Sequence, residues 1–300
     1  MNTKQYIRQQ LSVWKNYALS SFTDDTSYVK RAYRKEFGRE INLGHPCLFS
    51  EKLQWLKLYD HKEIYHVMAD KYDCKSFISN AIGEEYTIPT LGIYNSFEQI
   101  DFDSLPDQFI LKPTFDSGTF FICRDKKTLD KKQIKRRLYK YWNTGFYYQS
   151  KEWQYKGLKR RIMVEPLLHD DNCPYLRDFK FYCFNGEPRI FYITSDKGGS
   201  LPTREDFFDI QGNPIEMEDY YYRKNPLVAP QLPDNLDDMV RISRILAQNT
   251  YHLRVDFYEI NGKVYCGELT FFERGGFCKF IPDEWNRTLG DWIKLPTDNQ

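Results

Sequence analysis

The chain has 300 residues and is nearly neutral, with 43 Lys plus Arg against 42 Asp plus Glu. That balance predicts neither nucleic-acid nor membrane binding, and no run approaches the roughly 18 apolar residues of a membrane span. The N-terminus also lacks the uninterrupted apolar segment of a secretory signal, and the seven scattered cysteines include no CxxC pair. These features favour reduced, buried thiols in a cytoplasmic protein and make a zinc site an unattractive hypothesis.

The first third of the chain is predicted to be mostly helical. Residues 1–40 show apolar side chains at helical spacing, and a second helix is predicted over Phe49–Tyr59 with Ser50 as its N-cap. A further helix is predicted over Ile64–Ile82, which contains the motif Asp70-Lys71-Tyr72, and Thr87–Tyr94 fits a short strand with a turn.

A strand, a small polar loop and a second strand follow. Phe109–Pro113 is predicted as a buried strand that carries Lys112, Thr114–Thr119 as the loop, and Phe120–Arg124 as the returning strand. This layout suits a lid that covers phosphates with backbone N–H groups while the lysine adds a point charge. It is not a Walker A loop, because GxxxxGK[ST] is absent, and a plain hairpin with a surface lysine is the alternative.

The middle of the chain carries a basic helix and a broken strand. Asp130–Trp142 is interpreted as a helix with a solvated basic face, with nucleic-acid contact as the alternative. The aromatic stretch Tyr141–Tyr155 suits either packing or contact with a sugar ring. Arg161–Leu168 is predicted as a strand that breaks at Pro166, and the free backbone groups there could hold an adenine edge.

Arg177–Asn185 alternates, which places Asp178 and Lys180 on one face of a predicted strand. That face is either exposed to solvent or the floor of a polar cleft. The later segments are predicted as a loop-rich insertion over Ser195–Pro230, an amphipathic helix over Leu236–Asn249 and an irregular end over Phe280–Leu295.

Asn261-Gly262 predicts a hairpin between the apolar runs Leu253–Ile260 and Val264–Phe272. Counting outward from the turn pairs Ile260 with Lys263 and puts Asp256 opposite Gly267, next to Glu268. Two carboxylates on neighbouring strands repel each other unless a cation lies between them, and hard oxygen ligands suit Mg²⁺ bound to nucleotide phosphates. The alternative is one acid in solvent and the other paired with Arg254 or Arg274.

In this order the motifs resemble the ATP-grasp superfamily of carboxylate–amine ligases, and within it the teichuronopeptide-biosynthesis-like branch of polysaccharide gene clusters. In members similar to D-alanine–D-alanine ligase the last two motifs are Arg-x-Asp and Glu-x-Asn, with the acids on metal. Here they are Arg254-Val-Asp256 and Glu268-Leu-Thr270. The branch resemblance covers residues 45–295 and also rests on the segments Phe49–Tyr59, Asp70-Lys71-Tyr72, Glu152-Trp153-Gln154-Tyr155 and Asp178-Phe179-Lys180-Phe181.

The resemblance implies an α+β ATP-grasp fold, with an antiparallel-sheet lid subdomain over a C-terminal mixed sheet with helices and a helical N-terminal region. The implied domains are an N-terminal region (1–105), a lid subdomain (106–168) and a C-terminal catalytic subdomain (169–300).

The resemblance also implies a role for each matching residue. Lys71 and Lys112 would bind the α- and β-phosphates, and the loop with Ser117 and Gly118 would cover the β- and γ-phosphates. Adenine would be bound by Glu165 and by the main chain of Pro166, Leu167 and Leu168. Mg²⁺ would be bound by Asp256, Glu268 and Thr270, and the catalytic residues would be Arg254, Lys180 and Asp178. Thr270 departs from the usual Asn, so a hydroxyl or water would replace the amide. Asp116 departs from the branch, which more often has His before Ser-Gly, and it brings negative charge near the triphosphate.

The expected function is therefore an ATP- and Mg²⁺-dependent ligase that makes an amide through an acylphosphate. The resemblance implies a carboxylate such as a sugar uronate and an amine or amino acid, with a polysaccharide precursor as a further partner. The expected location is the cytoplasm or the inner face of the membrane. A phosphotransferase, a glycosyltransferase and a non-catalytic nucleotide-binding relative are the alternatives.

Overall fold

The structure, a computed structural model, describes residues 3–171, 176–195, 202–224 and 230–296. Its helices and antiparallel sheets confirm the α+β class. The α-helices of the described residues are α1 (Thr3–Ser21), α2 (Asp25–Phe37), α3 (Phe49–Tyr59), α4 (Ile64–Ala69), α5 (Asp73–Ile82), α6 (Lys131–Leu138), α7 (Tyr147–Ser150), α8 (Leu236–Leu246) and α9 (Glu284–Trp292). Their strands are β1 (Gly92–Tyr94), β2 (Phe109–Pro113), β3 (Phe121–Cys123), β4 (Ile162–Pro166), β5 (Asp178–Phe184), β6 (Glu187–Ser195), β7 (Arg204–Asp209), β8 (Glu218–Asp219), β9 (His252–Ile260), β10 (Lys263–Thr270) and β11 (Phe280–Ile281).

The start of α3 differs from the prediction. The N-cap is Leu48, not Ser50, and the Glu51 carboxylate accepts the N–H groups of Cys47 and Leu48. Ser50 lies inside the first turn, buried, where its hydroxyl shares a 3.0 Å hydrogen bond with Tyr33. Glu51, at the third helical position, therefore caps the N-terminal end of this helix by accepting backbone N–H groups.

The single helix predicted over Ile64–Ile82 is two helices, because Asp70 interrupts it. One Asp70 carboxylate oxygen accepts the N–H groups of Tyr72 at 2.9 Å and Asp73 at 3.1 Å. A side chain that caps the first free N–H groups favours a new helix start over continuation of the old one. Lys71 therefore lies in a short connection between α4 and α5.

The chain divides into two compact units, one formed by residues 1–32, 61–77 and 88–167, the other by residues 33–60, 78–87 and 168–300. The three-part domain division at residues 105 and 168 remains a prediction. No helix in the described part of the chain is long and apolar enough to cross a membrane.

The first unit contains a four-stranded antiparallel sheet in the order β1-β4-β2-β3. Alternation along β2 buries Phe109 and Leu111 against Ile134 and Leu138 of α6. The intervening residues face the other way, and the register places Ile110 opposite Glu165 and Lys112 opposite Met163. The charged side chains of β2 and β4 thus share one face, since side chains alternate between the two faces of a strand.

The second unit contains a five-stranded antiparallel sheet in the order β10-β9-β5-β6-β7, with one parallel bridge from Thr87 to Cys266 at its edge. One face is apolar. Its side chains come mainly from β5, β9 and α8, namely Phe179, Phe181, Val255, Phe257, Met239, Ile242 and Leu246. The opposite face carries the charged side chains described below.

The hairpin β9–β10 forms at Asn261-Gly262, both with positive φ, and pairs Ile260 with Lys263 as predicted. The predicted position of Asp256 opposite Gly267 is wrong: Asp256 pairs with Glu268. A register shift between Cys266 and Glu268 moves the strand by one residue, which is the effect of a β-bulge. Gly267 permits the bulge, because a Cβ there would lie 2.6 Å from the Tyr258 ring.

Two predicted irregular regions are more regular than expected. Within Ser195–Pro230, of which residues 196–201 and 225–229 lie outside the described residues, Arg204–Asp209 form an edge strand beside β6. The end of the chain contains β11, paired with β8, and α9. Gly290 lets α9 approach α3 closely, since a Cβ at this position would lie 2.2 Å from the Cys47 carbonyl oxygen.

Candidate functional site

In the first unit, Glu165 lies on β4 between two lysines. It is 3% exposed, with Lys112 Nζ 2.6 Å from one carboxylate oxygen and Lys75 Nζ 2.5 Å from the other. Burial alone would raise the pKa of Glu165, but the two lysines outweigh burial and hold the pKa below its usual value. The residue is therefore an ionised hydrogen-bond acceptor at neutral pH.

Sequence reasoning predicted Lys112 and Glu165 as separate phosphate and adenine ligands and missed Lys75. The structure brings all three together on one side of the sheet. Lys75 follows Lys71 by four residues, but α5 begins only at Asp73, so the helical spacing that could have linked them does not apply. Pro166 is the last residue of β4, and Leu167 and Leu168 follow it outside the strand.

Lys71 is fixed from both sides by the loop that follows β2. Its backbone N–H donates to the Thr114 carbonyl at 3.0 Å, and its ammonium donates to the Asp116 carbonyl oxygen. The neighbouring Asp70 accepts the Thr114 hydroxyl at 2.8 Å and Arg161 Nη2 at 3.0 Å. The predicted lysine and the predicted loop are thus joined in this unit.

Asp116, the unusual residue of that loop, is completely buried. Lys71 Nζ lies 3.7 Å from its carboxylate, and neither carboxylate oxygen has a well-formed hydrogen bond within the described residues. Burial raises the pKa of Asp116 to about 7, against the opposing effects of Lys71 and Thr119. At the tip of the loop Ser117 and Gly118 are exposed, and Gly118 has a positive φ.

In the second unit, the polar face of the five-stranded sheet gathers the remaining predicted residues. The strand register places Lys180 opposite Asp256, and Asp256 opposite Glu268. Arg254 and Thr270 form the next cross-strand pair. Alternation keeps these side chains on one face, with Asp178 two residues before Lys180 on the same strand.

Arg254 is the centre of this face. Its Nε and Nη2 lie 2.6 and 2.7 Å from the two oxygens of Asp256, and its Nη1 lies 2.7 Å from Glu273 Oε1. Nη2 also donates to the Thr270 hydroxyl at 3.2 Å. Burial opposes the charge of Arg254, but Asp256 outweighs burial and raises the pKa further. The guanidinium is held in one orientation by two carboxylates.

Lys180 lies between two acids, with Nζ 2.9 Å from Asp178 and 3.3 Å from Asp256. Burial would lower its pKa, yet Asp178 and Asp256 outweigh burial and raise the pKa. Lys180 and Arg254 therefore both neutralise Asp256 on this face.

Glu273 is a buried member of this network that sequence reasoning missed. Tyr182 and Tyr192 both donate their hydroxyls to its carboxylate, the latter at 2.5 Å, and Arg254 binds it from a third side. Its signal in the sequence is an acid directly after the apolar pair Phe271-Phe272. That signal alone could not show which cation it binds.

The metal prediction can be tested against the donor set. No group of three or more His, Cys, Asp or Glu able to hold an ion occurs in the part of the chain that the structure describes. Asp256 and Glu268 face each other across adjacent strands, and within the described residues Glu268 forms no ion pair. Mg²⁺ is commonly held by one or two carboxylates plus substrate phosphates, so an ion at this pair would be completed by a nucleotide, not by further protein ligands. Arg254 occupies both oxygens of Asp256 and would have to release one of them for the ion to bind.

Comparison with known proteins identifies one matching family and several solved structures similar to the chain. A family model described as TupA-like ATPgrasp matches residues 51–294. No curated protein matches the chain. Solved structures similar to the chain include the D-alanine–D-alanine ligase of Bacillus anthracis in complex with ATP, with 14% identity, coverage of 68% of this chain and 54% of that chain, and a TM-score of 0.40.

The corresponding ligase of Helicobacter pylori has 13% identity, coverage of 82% and 69%, and a TM-score of 0.43. The ATP-grasp ligase PsnB in complex with a minimal precursor has 11% identity, coverage of 74% and 60%, and a TM-score of 0.41. The chain thus spans little more than half the length of the Bacillus anthracis ligase.

Proposed function

The chain belongs to the TupA-like ATP-grasp family, and from that membership we propose that it is an ATP- and Mg²⁺-dependent carboxylate–amine ligase. The observation that carries the proposal is the polar sheet face on which Arg254, Asp256, Lys180 and Glu268 are held side by side. Closely spaced acids and fixed cations are what a reaction at a triphosphate needs.

In the first unit we assign nucleotide binding to the lysines and the adjoining loop. Lys71 and Lys112 would hold the α- and β-phosphates, and the exposed Ser117-Gly118 tip would cover the β- and γ-phosphates with backbone N–H groups. Glu165, ionised between its two lysines, would accept the adenine amino group, with the main chain of Pro166, Leu167 and Leu168 beside it. Lys75, which sequence reasoning missed, joins this set through Glu165.

In the second unit we assign the metal-binding and reacting groups. Asp256 and Glu268, with the Thr270 hydroxyl, would hold Mg²⁺, which supplies charge neutralisation at the phosphates. Arg254 would stabilise charge on the transferred phosphoryl group, and its two carboxylate partners keep it oriented before substrate binds. Lys180 and Asp178 would line the nucleotide or acceptor side.

The proposed reaction has two steps. A substrate carboxylate oxygen attacks the γ-phosphorus of ATP, and the bond to the bridging oxygen breaks to release ADP and leave an acylphosphate. An amine then attacks the acyl carbon, phosphate leaves with the electron pair of the C–O bond, and the nitrogen loses a proton as the amide forms. The chain contributes alignment and positive charge to both steps and needs no covalent nucleophile.

For the substrates we propose a sugar uronate, or another carboxylate attached to a surface-polysaccharide precursor, and an amino acid or amine. The family membership supports this choice. A cytoplasmic reaction is proposed with it, because the reaction consumes ATP.

The proposal is tested by trapping the acylphosphate. The protein is incubated with Mg-ATP, a panel of sugar uronates and amino acids, and hydroxylamine, and the products are hydroxamate, ADP and phosphate if the account is correct. Formation of ADP with a stable phosphoester and no hydroxamate would replace the ligase by a phosphotransferase. UDP release from a UDP-sugar without ATP consumption would replace it by a glycosyltransferase.

A further inference from the structure

Helix α1 carries an apolar stripe that the rest of the first unit leaves uncovered. Its members are Ile7 (51% exposed), Leu11 (65%), Trp14 (46%), Ala18, and Phe22 (93%) directly after the helix. At ~100° per residue, the four positions inside the helix fall within roughly 60° of one another around its axis, and Phe22 follows the last turn. We call this set the α1 stripe.

The opposite side of α1 is fixed to the first unit. Val13 is buried in a cluster with Phe115, Tyr141 and Tyr147. Asn16 donates to the Gln149 side chain at 3.2 Å, and Gln10 donates to the Lys140 carbonyl at 3.3 Å. Because both polar contacts hold the helix by its inner side, the α1 stripe cannot rotate inward without breaking them.

Positive charge borders the α1 stripe on both sides. Residues 1–23 contain no Asp or Glu, and Lys4, Arg8 and Lys15 lie along one border at the same helical spacing. On the other border, Arg136 of α6 lies over the Tyr6 ring at 5.4 Å. Residues 131–140 contain six Lys or Arg and no acid, and of these Lys135 is paired with Glu98.

We propose that the α1 stripe binds the surface of a membrane rich in anionic lipids, with α1 lying in the plane of the interface. Exposed apolar side chains would enter the boundary between headgroups and acyl chains, while the lysines and arginines would contact lipid phosphates. Trp14 suits this depth, since its ring is apolar and its N–H is polar. The inference does not depend on the ligase proposal.

Two other occupants fit the charges less well. A second copy of the stripe would bring two acid-free basic borders together, which is repulsive at close range. Nucleic acid would satisfy the basic residues but would leave the apolar side chains exposed in water. An anionic lipid surface satisfies both features at once.

The test is flotation of the full chain with phosphatidylcholine vesicles, with and without about one third phosphatidylglycerol. We expect binding to the anionic vesicles that is lost at high salt (about 1 M) and is weak on the neutral ones. The Trp14 fluorescence should shift to the blue on binding. Trp14→Phe should bind the vesicles similarly and lose the part of the fluorescence shift that comes from Trp14.

Two pairs of variants separate the stripe from general surface effects. Leu11→Ser with Trp14→Ser should weaken binding at least about tenfold, whereas Leu91→Ser, which changes an exposed leucine elsewhere in the first unit, should not. Arg8→Gln with Lys15→Gln should weaken binding at least about tenfold, whereas Lys30→Gln with Arg31→Gln on α2 should have a smaller effect. Thermal melting confirms that each variant is folded.

Three results would overturn the proposal. The first is equal binding to neutral and anionic vesicles. The second is vesicle binding that is unchanged in both Leu11→Ser/Trp14→Ser and Arg8→Gln/Lys15→Gln. The third is a wild-type chain that ignores vesicles but self-associates through the stripe, with Leu11→Ser/Trp14→Ser monomeric, which would make the stripe a contact between copies of the chain.

Discussion

Asp116 makes the stability of the first unit depend on pH, because a buried carboxyl favours its neutral form. Its pKa rises from 3.8 to about 7 on folding, so between these values the folded state binds more protons than the unfolded state. The contribution of Asp116 to the free energy of unfolding should therefore be greatest below about pH 4 and fall as pH rises to about 7, by up to about 4 kcal/mol. Glu165, whose pKa is lowered, contributes in the opposite direction at acid pH. Asp116→Asn should remove this fall and stabilise the protein at neutral pH.

Chemical denaturation of wild type and Asp116→Asn at several pH values checks this prediction. Burial raises the pKa values of Glu205 and Glu273 in the same direction, so only the difference between wild type and variant isolates Asp116. A variant with the same pH dependence as wild type, or one destabilised at neutral pH, would show that Lys71 keeps Asp116 charged and stabilising.

The two carboxylates among the proposed metal ligands should differ in their effect on stability. Asp256 is bound by Arg254 and Lys180, so Asp256→Asn leaves the buried Arg254 and the partly buried Lys180 poorly matched and should lower stability by about 3 kcal/mol. Glu268 is partly exposed, and its charge is one of the smaller effects that raise the pKa of Arg254, so Glu268→Gln should lower stability less than Asp256→Asn. Both variants should lose Mg-ATP turnover.

Urea denaturation and ATP hydrolysis or ligation assays give the two results. Glu268→Gln is the cleaner test of the metal assignment, because its loss of activity cannot be attributed to unfolding. Full activity in Glu268→Gln would remove this residue from the metal site, whatever the behaviour of Asp256→Asn.

Glu273 should act as a positioning residue through Arg254. Glu273→Gln keeps the size of the side chain and an acceptor for Nη1 but replaces the carboxylate that binds the guanidinium. Because burial raises the pKa of Glu273 to about 7, the comparison is made above that pH, where the wild-type carboxyl is charged. We expect kcat to fall about tenfold or more with a smaller change in the KM for ATP, since the loss falls on transition-state charge. A rise in the KM for ATP with kcat unchanged, or no change in either constant, would confine Glu273 to a structural role.

Among the elements, the connection between α4 and α5 is the clearest example of a local side chain that sets a functional position. Asp70 caps α5, accepts the Thr114 hydroxyl and binds Arg161, and Lys71 follows it directly. Asp70→Ala should cost about 1–3 kcal/mol of stability and weaken ATP binding by displacing Lys71.

Asp73→Ala is the matched control, since Asp73 binds the same arginine from a position that is 41% exposed. Thermal denaturation and nucleotide titration should show a large effect for Asp70→Ala and a small one for Asp73→Ala. Equal effects would mean that the Arg161 ion pairs, rather than the cap, fix the position of Lys71.

In the β9–β10 hairpin the local sequence determines the turn but not the strand register beyond the bulge. Asn261-Gly262 fixed the turn and the first pair, because both residues tolerate positive φ. The bulge at Gly267 depends on the packing of the Tyr258 ring against the strand, which the pattern of apolar residues does not encode. The predicted register was therefore correct near the turn and one residue off at Asp256.

At the scale of the whole chain, the order of motifs along the sequence was sufficient to predict the fold class and the family. The partners of the candidate residues were not predictable, because Lys75 and Glu273 come from segments whose placement is set by tertiary packing. Lys75 binds Glu165, which is distant in sequence, and Glu273 is bound by tyrosines from β5 and β6. The pairing of Asp256 with Arg254 agrees with the alternative that the sequence offered for the hairpin, whereas the cations at Glu165 and Glu273 were not predicted.

Mg-ATP binding is the central claim, and thermal denaturation with Mg-ATP, ATP without Mg²⁺, ADP and a UDP-sugar tests it most directly. A ligand that binds only the folded state adds about 2.7 kcal/mol of stability at a hundredfold excess over its Kd. We predict a magnesium-dependent stabilisation by ATP in wild type that Glu268→Gln loses. No stabilisation by millimolar Mg-ATP, or stabilisation by the UDP-sugar instead, would contradict the account.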